Sequence, residues 1–254
     1  MVLLHELLIL IAVSFGAGTL GALLGLGGGF IIVPALTFMS FNPSQIASTS
    51  LFAVFSTSAS STLAYARQKR IDYSLGIRFA LIAIPGAIIG AYISDFITLQ
   101  SFKLYFALVL IGTSVYIFRK SELAKEHKGK HSSAVMALCY TASFLAGILS
   151  SLFGIGGGVI FVPLMVVLLG MSMHVSAPTS QFIFLISSVA GLASHVVLGH
   201  PDYLLALVLV AGAFAGAQLG AKISLRVKEK LLQKLLSISL LAVAAKFIVD
   251  FFTD

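Results

Sequence analysis

A chain of 254 residues with 59% hydrophobic and only 10% charged residues has too little polar surface for a water-soluble globule, since soluble domains carry about 25% charged residues. The composition excludes an ordinary soluble enzyme or binding domain and predicts an integral membrane protein. The net charge of +7 could suggest a nucleic-acid partner. However, the basic residues cluster in short segments between apolar runs, as they do in cytoplasmic loops. We therefore expect a lipid bilayer around the chain and no nucleic acid.

The first half of the chain contains five apolar segments, at about residues 2–24, 30–41, 46–66, 73–94 and 102–118. The first lacks the basic start of a signal peptide, and we interpret it as a retained helix. The second has only about 12 residues, which would rise ~18 Å as a helix, against a hydrocarbon core of ~30 Å. It is therefore predicted to be a half-helix or part of a broken hairpin.

The second half repeats this pattern, with apolar segments at about residues 132–153, 159–170, 175–198, 203–225 and 231–252. The stretch "GLGGGFIIVPAL" at 25–36 returns as "GIGGGVIFVPLM" at 154–165, an offset of 129 residues. Later matches are offset by 130, which indicates one residue inserted after Pro163. We predict an all-α polytopic membrane protein with about 8–10 membrane segments. Residues 1–118 form repeat 1, residues 119–131 a cytoplasmic linker and residues 132–254 repeat 2, within a single transmembrane domain.

The basic residues predict how the two repeats are oriented. Thirteen of the 16 Lys and Arg residues lie in three segments, 67–70, 119–130 and 222–234. The positive-inside rule places all three in the cytoplasm. This requires that each repeat cross the membrane an odd number of times, so the repeats have inverted topology and both termini lie outside the cytoplasm. The count is the same whether segments one and two of each repeat both span or form a re-entrant pair.

Three adjacent glycines interrupt each copy of the motif: Gly27, Gly28 and Gly29 in the first, and Gly156, Gly157 and Gly158 in the second. Half-helices that begin just after them, at Phe30 and Val159, would point unpaired N–H groups and positive dipole ends at the middle of the membrane. Two such ends make a site for a small anion, as in transporters built from inverted repeats. The alternative is that the glycines only let helices pack closely.

Polar residues recur shortly after each motif: Thr49 and Ser50 in the first repeat, and Thr179, Ser180 and Gln181 in the second. Hydroxyl and amide groups can donate to an oxyanion without burying a full charge. We therefore predict that they bind substrate together with the glycines. The alternative is that they bond to carbonyls of their own helix. The run "STSASST" at 56–62 is interpreted as helix-packing surface, and His195, which replaces Tyr65 of the first repeat, is a candidate for proton coupling.

We expect no cofactor, no metal and no enzymatic activity. The single cysteine, Cys139, belongs to no group of metal-ligating residues. The glycine motifs lack the Gly-Lys-Ser/Thr of a phosphate-binding loop, and Phe30 occupies the place of the last glycine in a dinucleotide fingerprint. Ser194 and His195 could pair as nucleophile and base, but adjacent residues on a helix diverge.

The pair "GLGGGFIIVP" and "GIGGGVIFVP", followed by "ASTS" at 47–50 and "APTS" at 177–180, resembles the TauE/SafE sulfite exporter family of bacterial and archaeal permeases. The resemblance covers essentially the whole chain. It implies a multi-pass carrier in the plasma (inner) membrane for sulfur-containing anions such as sulfite, sulfonates and related oxyanions. The residues alone indicate a secondary transporter of a small anion. An anion channel with the same fold is the alternative, and a homodimer is possible.

Overall fold

The computed structural model describes residues 4–39, 41–120 and 132–253, and no strand occurs within them. The described residues form ten α-helices: α1 Leu4–Leu24, α2 Gly29–Thr37, α3 Pro43–Arg67, α4 Tyr73–Ile93, α5 Leu99–Lys120, α6 Ser133–Phe153, α7 Gly158–Pro163, α8 Met173–Val197, α9 Tyr203–Ile223 and α10 Glu229–Thr253. A 3-10 turn, Ser94–Phe96, follows α4, and a π-helical segment, Leu164–Leu168, continues α7.

Six of these helices are long and apolar enough to cross a membrane: α1, α4, α6, α8, α9 and α10. This confirms the all-α polytopic class. The other four helices are the two short ones, α2 and α7, together with α3 and α5. Helix α3 has 25 residues but is rich in serine and threonine, and the apolar part of α5, Leu99–Val115, is short.

The second segment of each half is as short as its sequence indicates. Helix α2 has nine residues, and α7 has six before the five-residue π segment. Both helices begin at the third glycine, one residue earlier than predicted. The π segment starts directly after Pro163, where the change of offset placed an inserted residue. A π turn accommodates an extra residue because its hydrogen bonds span five residues, as from the amide of Leu169 to the carbonyl of Leu164.

Equivalent helices of the two halves pack against each other in opposite directions. On α3 and α8, Ser58 Oγ donates to Gln181 Oε1 at 3.0 Å, whereas Gly191, later on α8, lies against the earlier Leu51. On α5 and α10, Ser114 bonds to Ser237 and the ring of Phe106 lies 4.7 Å from that of Phe247. This antiparallel course supports inverted repeats. The repeat boundaries remain a prediction, and most of the predicted linker, residues 121–131, lies outside the described residues.

Small residues allow close approach of the helices on either side of this core. Helix α1 packs on α9, and α6 packs on α4. A Cβ atom added to Gly216 of α9 would overlap the carbonyl of Phe15 on α1, and one added to Gly90 of α4 would overlap the carbonyl of Ile148 on α6. Glycines spaced four residues apart are typical of such interfaces in membranes.

Candidate anion site at two glycine turns

The turn between α1 and α2 and the turn between α6 and α7 both depend on left-handed backbone. Gly27 and Gly28 have φ of +80° and +87°, and Gly156 has φ of +69°. L-residues rarely adopt this region, which explains glycine at these positions. Gly157 differs, with φ of −67°. Here a side chain lacks space, because a Cβ atom would lie 2.9 Å from Phe161 Cε2.

The two glycine turns contact each other directly and reciprocally. A Cβ on Gly29 would overlap the carbonyl of Gly154 and lie 2.6 Å from Ile155 Cα. A Cβ on Gly158 would overlap the carbonyl of Gly25. Reciprocal contacts of this kind are what a two-fold axis produces. Close backbone packing, the alternative interpretation of the glycines, therefore accounts for Gly29 and Gly158.

The starts of both short helices are buried and have no side-chain cap. Their N-cap residues are Gly28 and Gly157, and neither cap forms a side-chain hydrogen bond. The amides of a first helical turn have no intrahelical acceptor, and the positive end of the helix dipole lies there. Residues 21–30 and 154–159 are buried throughout. Buried helix starts of this kind are chemically suited to bind a small anion through their backbone N–H groups.

The hydroxyls of Ser50 and Ser180 hold the glycine turns in place. Ser50 Oγ donates to the carbonyl oxygen of Gly154 at 2.9 Å, and Ser180 Oγ donates to that of Gly25 at 2.7 Å. Each hydroxyl also lies within 3.0 Å of a carbonyl of its own helix. A serine hydroxyl has one hydrogen to donate. In this conformation the hydroxyl hydrogen of Ser50 and that of Ser180 are both directed at carbonyl oxygens.

Thr49 and Thr179 lie apart from the serines that follow them in sequence. Thr49 Oγ1 accepts from the amide of Asp202 at 3.2 Å, and Thr179 Oγ1 accepts from the amide of Asp72 at 3.0 Å. These aspartates are the N-caps of α9 and α4. The structure therefore places the two threonines beside the starts of two different helices and does not bring them together.

Gln181 links three helices near the first glycine turn. Its Nε2 donates to the carbonyl of Gly21 on α1 at 2.8 Å, and its Oε1 accepts from Ser58 on α3. Gly21 in turn lies against Gly28. The amide group of Gln181 thus fixes the end of α1 beside the start of α2.

Two apolar residues that the sequence interpretation missed fill the space beside the turns. If Gly27 and Gly156 carried Cβ atoms, those atoms would lie 3.0 and 2.9 Å from Val54 Cγ1. They would lie 3.6 and 3.7 Å from Phe184 Cδ2. Val54 and Phe184 are equivalent residues, related by the offset of 130, and both are fully buried. An apolar residue in an apolar segment does not stand out in the sequence. Only the offset of 130 between the two residues could have indicated that they form a pair.

Thr57 is a further missed candidate. It is fully buried, and its Oγ1 has no hydrogen-bond partner. An unpaired buried hydroxyl costs about 1–3 kcal/mol, so it is a group that a polar ligand could satisfy. Thr57 lies one turn from Val54 on the same face of α3. The packing interpretation does apply to Ser56 and Ser60, which donate to carbonyls of α9 at 2.9 and 2.7 Å.

A cleft of about 330 Å³ lies beside the second half-helix, between α5, α6 and α7. Its lining is almost entirely apolar, including Leu138, Ile160 and Leu168. It offers little to stabilise a negative charge, in contrast to the helix starts at the glycine turns.

Six apolar helices of spanning length indicate a multi-pass membrane protein, and paired short helices that start at buried glycine turns are typical of membrane transporters,. A family model described as "Sulfite exporter TauE/SafE" matches residues 10–247. The chain belongs to the TauE/SafE family. A plasma-membrane location is consistent with that family.

Curated relatives are named as probable membrane transporters. The chain is 38% identical over 229 residues to the probable membrane transporter protein YunE of Bacillus subtilis, covering 81% of this chain and 84% of YunE. It is 32% identical over 165 residues to the probable membrane transporter protein MJ0441 of Methanocaldococcus jannaschii, covering 62% and 60% of the two chains. YdhB of B. subtilis, with the same description, is 25% identical over 210 residues, or 81% and 85%. No solved structure matches the chain significantly.

Proposed function

We propose that this protein is a secondary transporter that moves a small sulfur-containing anion, such as sulfite or a sulfonate, across the plasma membrane. The anion binds between the starts of α2 and α7. The family supports the sulfur-anion class, and the residues support the site. The observation that carries the proposal is the reciprocal contact of two buried glycine turns whose helices begin without side-chain caps.

The two halves are inserted in opposite orientations in this proposal. The antiparallel course of α3 against α8 and of α5 against α10 supports it, as do the basic segments at 67–70 and 222–234. Single cysteines at Arg67 and Lys228 should react with an impermeant thiol reagent from the same, cytoplasmic, side. Reaction from opposite sides would refute the orientation.

A carrier accounts for the packing of the site better than a channel does. Val54 and Phe184 occupy the space beside Gly27 and Gly156, so an anion can enter only after these side chains move. A channel needs a continuous wetted path. Transport in liposomes should therefore saturate with anion concentration, whereas flux that rises linearly would favour the channel.

The binding step is tested by thermal unfolding of the purified protein with sulfite, sulfate, thiosulfate, sulfoacetate or taurine. A ligand that binds only the folded state raises Tm as its concentration exceeds Kd. We expect a saturable rise with at least one sulfur oxyanion and none with chloride at the same ionic strength. The absence of a saturable rise with all of the sulfur compounds would contradict the proposed substrate class.

The location is tested in the same assay with Val54→Ala and, as a matched control, Val162→Ala. Both valines are fully buried, and both substitutions remove the same atoms. Each should lower the free energy of unfolding by a similar amount, on the order of 1–3 kcal/mol, and Tm should fall similarly in the two variants. Only Val54→Ala frees space at the glycine turns. We expect it alone to tighten anion binding by several-fold, since a conformation that admits the anion becomes more populated. Equal affinities in the two variants would contradict this location.

A further inference from the structure

A chain of polar contacts lies where α4 and α8 end. His195 is fully buried, and its Nε2 lies 3.0 Å from the carbonyl oxygen of Ser151 on α6. Its Nδ1 lies 2.8 Å from Nδ1 of His200. Nε2 of His200 lies 2.9 and 3.1 Å from the two carboxylate oxygens of Asp95, whose side chain is 40% exposed. The contacts thus connect a solvent-exposed carboxylate to a buried imidazole.

These contacts need more hydrogens than two neutral imidazoles carry. Nε2 of His195 has two neighbours on Ser151, the hydroxyl oxygen at 3.3 Å and the nearer carbonyl oxygen at 3.0 Å. A carbonyl oxygen only accepts, so at this closer contact Nε2 bears a hydrogen, and the hydroxyl oxygen is its second acceptor. A second hydrogen must lie between the two Nδ1 atoms, and a third between His200 and Asp95. Two neutral imidazoles supply two hydrogens in total. The third is one proton taken up from solution and shared by His200 and Asp95.

The elements around this chain of contacts place few other ionisable groups near it. Helix α3 carries none between residues 43 and 62. At the ends of the neighbouring described elements that lie near it, the other ionisable residues are Tyr92 on α4, Lys103 and Tyr105 on α5, and Asp202 and Tyr203 at the start of α9. Those toward the opposite ends of their helices are Tyr73 and Arg78 on α4, Cys139 and Tyr140 on α6, His174 on α8 and Lys222 on α9. The second carboxylate, Asp202, accepts from the amide of Leu205 as a helix cap at 3.0 Å. Asp95 is therefore the acid that contacts the histidine pair.

The opposite end of the bundle repeats the buried contact without an imidazole. Tyr65 occupies the position equivalent to His195 and donates from its hydroxyl to the carbonyl of Ala22 at 2.7 Å. Ala22 is equivalent to Ser151. The same helix-to-helix bond is therefore made by a phenol at one end and by an imidazole at the other.

The second position of this opposite end holds a permanent cation. Arg70, equivalent to His200, lies with its guanidinium 5.2 Å from the ring centre of Tyr65 and donates to Ser224 Oγ at 2.8 Å. Burial lowers the pKa of Arg70 from its ordinary value, and the nearby Tyr65 opposes this. An arginine nevertheless stays protonated in proteins. One end thus carries a fixed charge where the other carries a proton that can leave.

We propose that His195, His200 and Asp95 form a binding site for one proton, which holds the segment after α8 against the end of α4. When the proton leaves, one of the three hydrogen bonds is lost and two acceptors face each other, so the contact loosens. Asp95 belongs to the first half of the chain and both histidines to the second. Ser151 precedes the turn residue Gly154 closely, so the change adjoins the second glycine turn. Its link to transport rests on the proposed function.

The proton site is tested without any anion, by measuring Tm between about pH 5 and about pH 8, the range in which histidine changes charge. Both histidines titrate freely in the unfolded chain, so the bound proton is measured as the difference in Tm between the wild type and Asp95→Asn, whose unfolded histidines titrate alike. The folded wild type holds the proton and Asp95→Asn does not, so this difference should be largest in acid and shrink as pH rises. In the His200→Arg and His200→Gln backgrounds, Asp95→Asn should change Tm by an amount that does not depend on pH. Asp95 is exposed, so its variant is expected to fold.

The matched control is His174→Gln, which removes a histidine that contacts Arg70 at the opposite end. In the His174→Gln background, Asp95→Asn should lower Tm with the same dependence on pH as in the wild type. The proposal is overturned if the difference between the wild type and Asp95→Asn does not change with pH. It is equally overturned if that difference still changes with pH in the His200→Arg background.

Liposome flux separates this inference from the proposed function. Anion transport by the wild type should depend on pH, and transport by His200→Arg should lose that dependence. A dependence that persists in His200→Arg overturns the link between this proton and transport. If the wild type moves none of the sulfur anions, the proposed function fails, while the Tm profiles still decide whether the proton site exists.

Discussion

Each buried hydroxyl near the glycine turns has one hydrogen to donate, and its acceptor decides its role. Ser50 and Ser180 donate to carbonyls of the opposite half, so they position the turns. The sequence pattern could identify these serines as recurring polar residues. It could not identify their acceptors, because Gly154 and Gly25 are more than 100 residues away along the chain. Only the fold brings each pair together.

Thr57 offers the sharpest test of anion contact at the residue scale, with Thr62 as its control. Both hydroxyls are buried and without a partner. Replacing either threonine with valine removes an unpaired hydroxyl and keeps nearly the same side-chain shape. The free energy of unfolding should therefore stay the same or rise by up to about 1 kcal/mol. Only Thr57→Val should weaken binding of the sulfur anion, by about tenfold, the loss expected for one hydrogen bond to a charged group.

Affinities from titrated thermal shifts, or from calorimetry of the purified variants, measure this difference. Thr57→Val with wild-type affinity would exclude the hydroxyl from the site. Equal weakening in both variants would indicate a general effect of α3 on binding.

The short helices show how far element lengths could be predicted. Their undersized apolar segments predicted α2 and α7, and the change of offset from 129 to 130 located an extra residue after Pro163. The sequence could not decide whether that residue would form a loop or widen the helix. The structure widens the helix into the π segment Leu164–Leu168. This keeps the backbone hydrogen-bonded, which apolar surroundings require.

Close packing of α1 on α9 predicts a strong response to one added methyl group. In Gly216→Ala the new Cβ would overlap the carbonyl of Phe15, and overpacking of this kind costs about 1–3 kcal/mol. Gly16→Ala on α1 is the control, because nothing lies within 4 Å of a Cβ there. Its Tm should stay unchanged or rise, since alanine favours a helix by up to about 1 kcal/mol.

Thermal unfolding of both variants in the same detergent provides the comparison. A Gly216→Ala protein as stable as Gly16→Ala would show that the two helices can separate without cost. In that case the close approach of α1 and α9 would not stabilise the fold.

At the scale of the whole molecule, composition predicted the membrane class and the self-similarity predicted paired halves. Neither could predict that the two glycine turns touch, that Val54 and Phe184 close over them, or that Asp95 reaches His200. These features depend on contacts between halves, and apolar segments give little indication of which of their faces meet. The side of the membrane on which each loop lies still rests on the basic segments.

An anion held between the two glycine turns would be seen directly if a bound anion were located in the protein. Selenite has the charge and shape of sulfite, and its selenium scatters anomalously, so crystals grown with selenite would mark the site. We expect one peak within hydrogen-bonding distance of amides at both helix starts, around Gly28 and Gly157. A peak only in the apolar cleft near Leu138, or a peak outside the bundle, would contradict it.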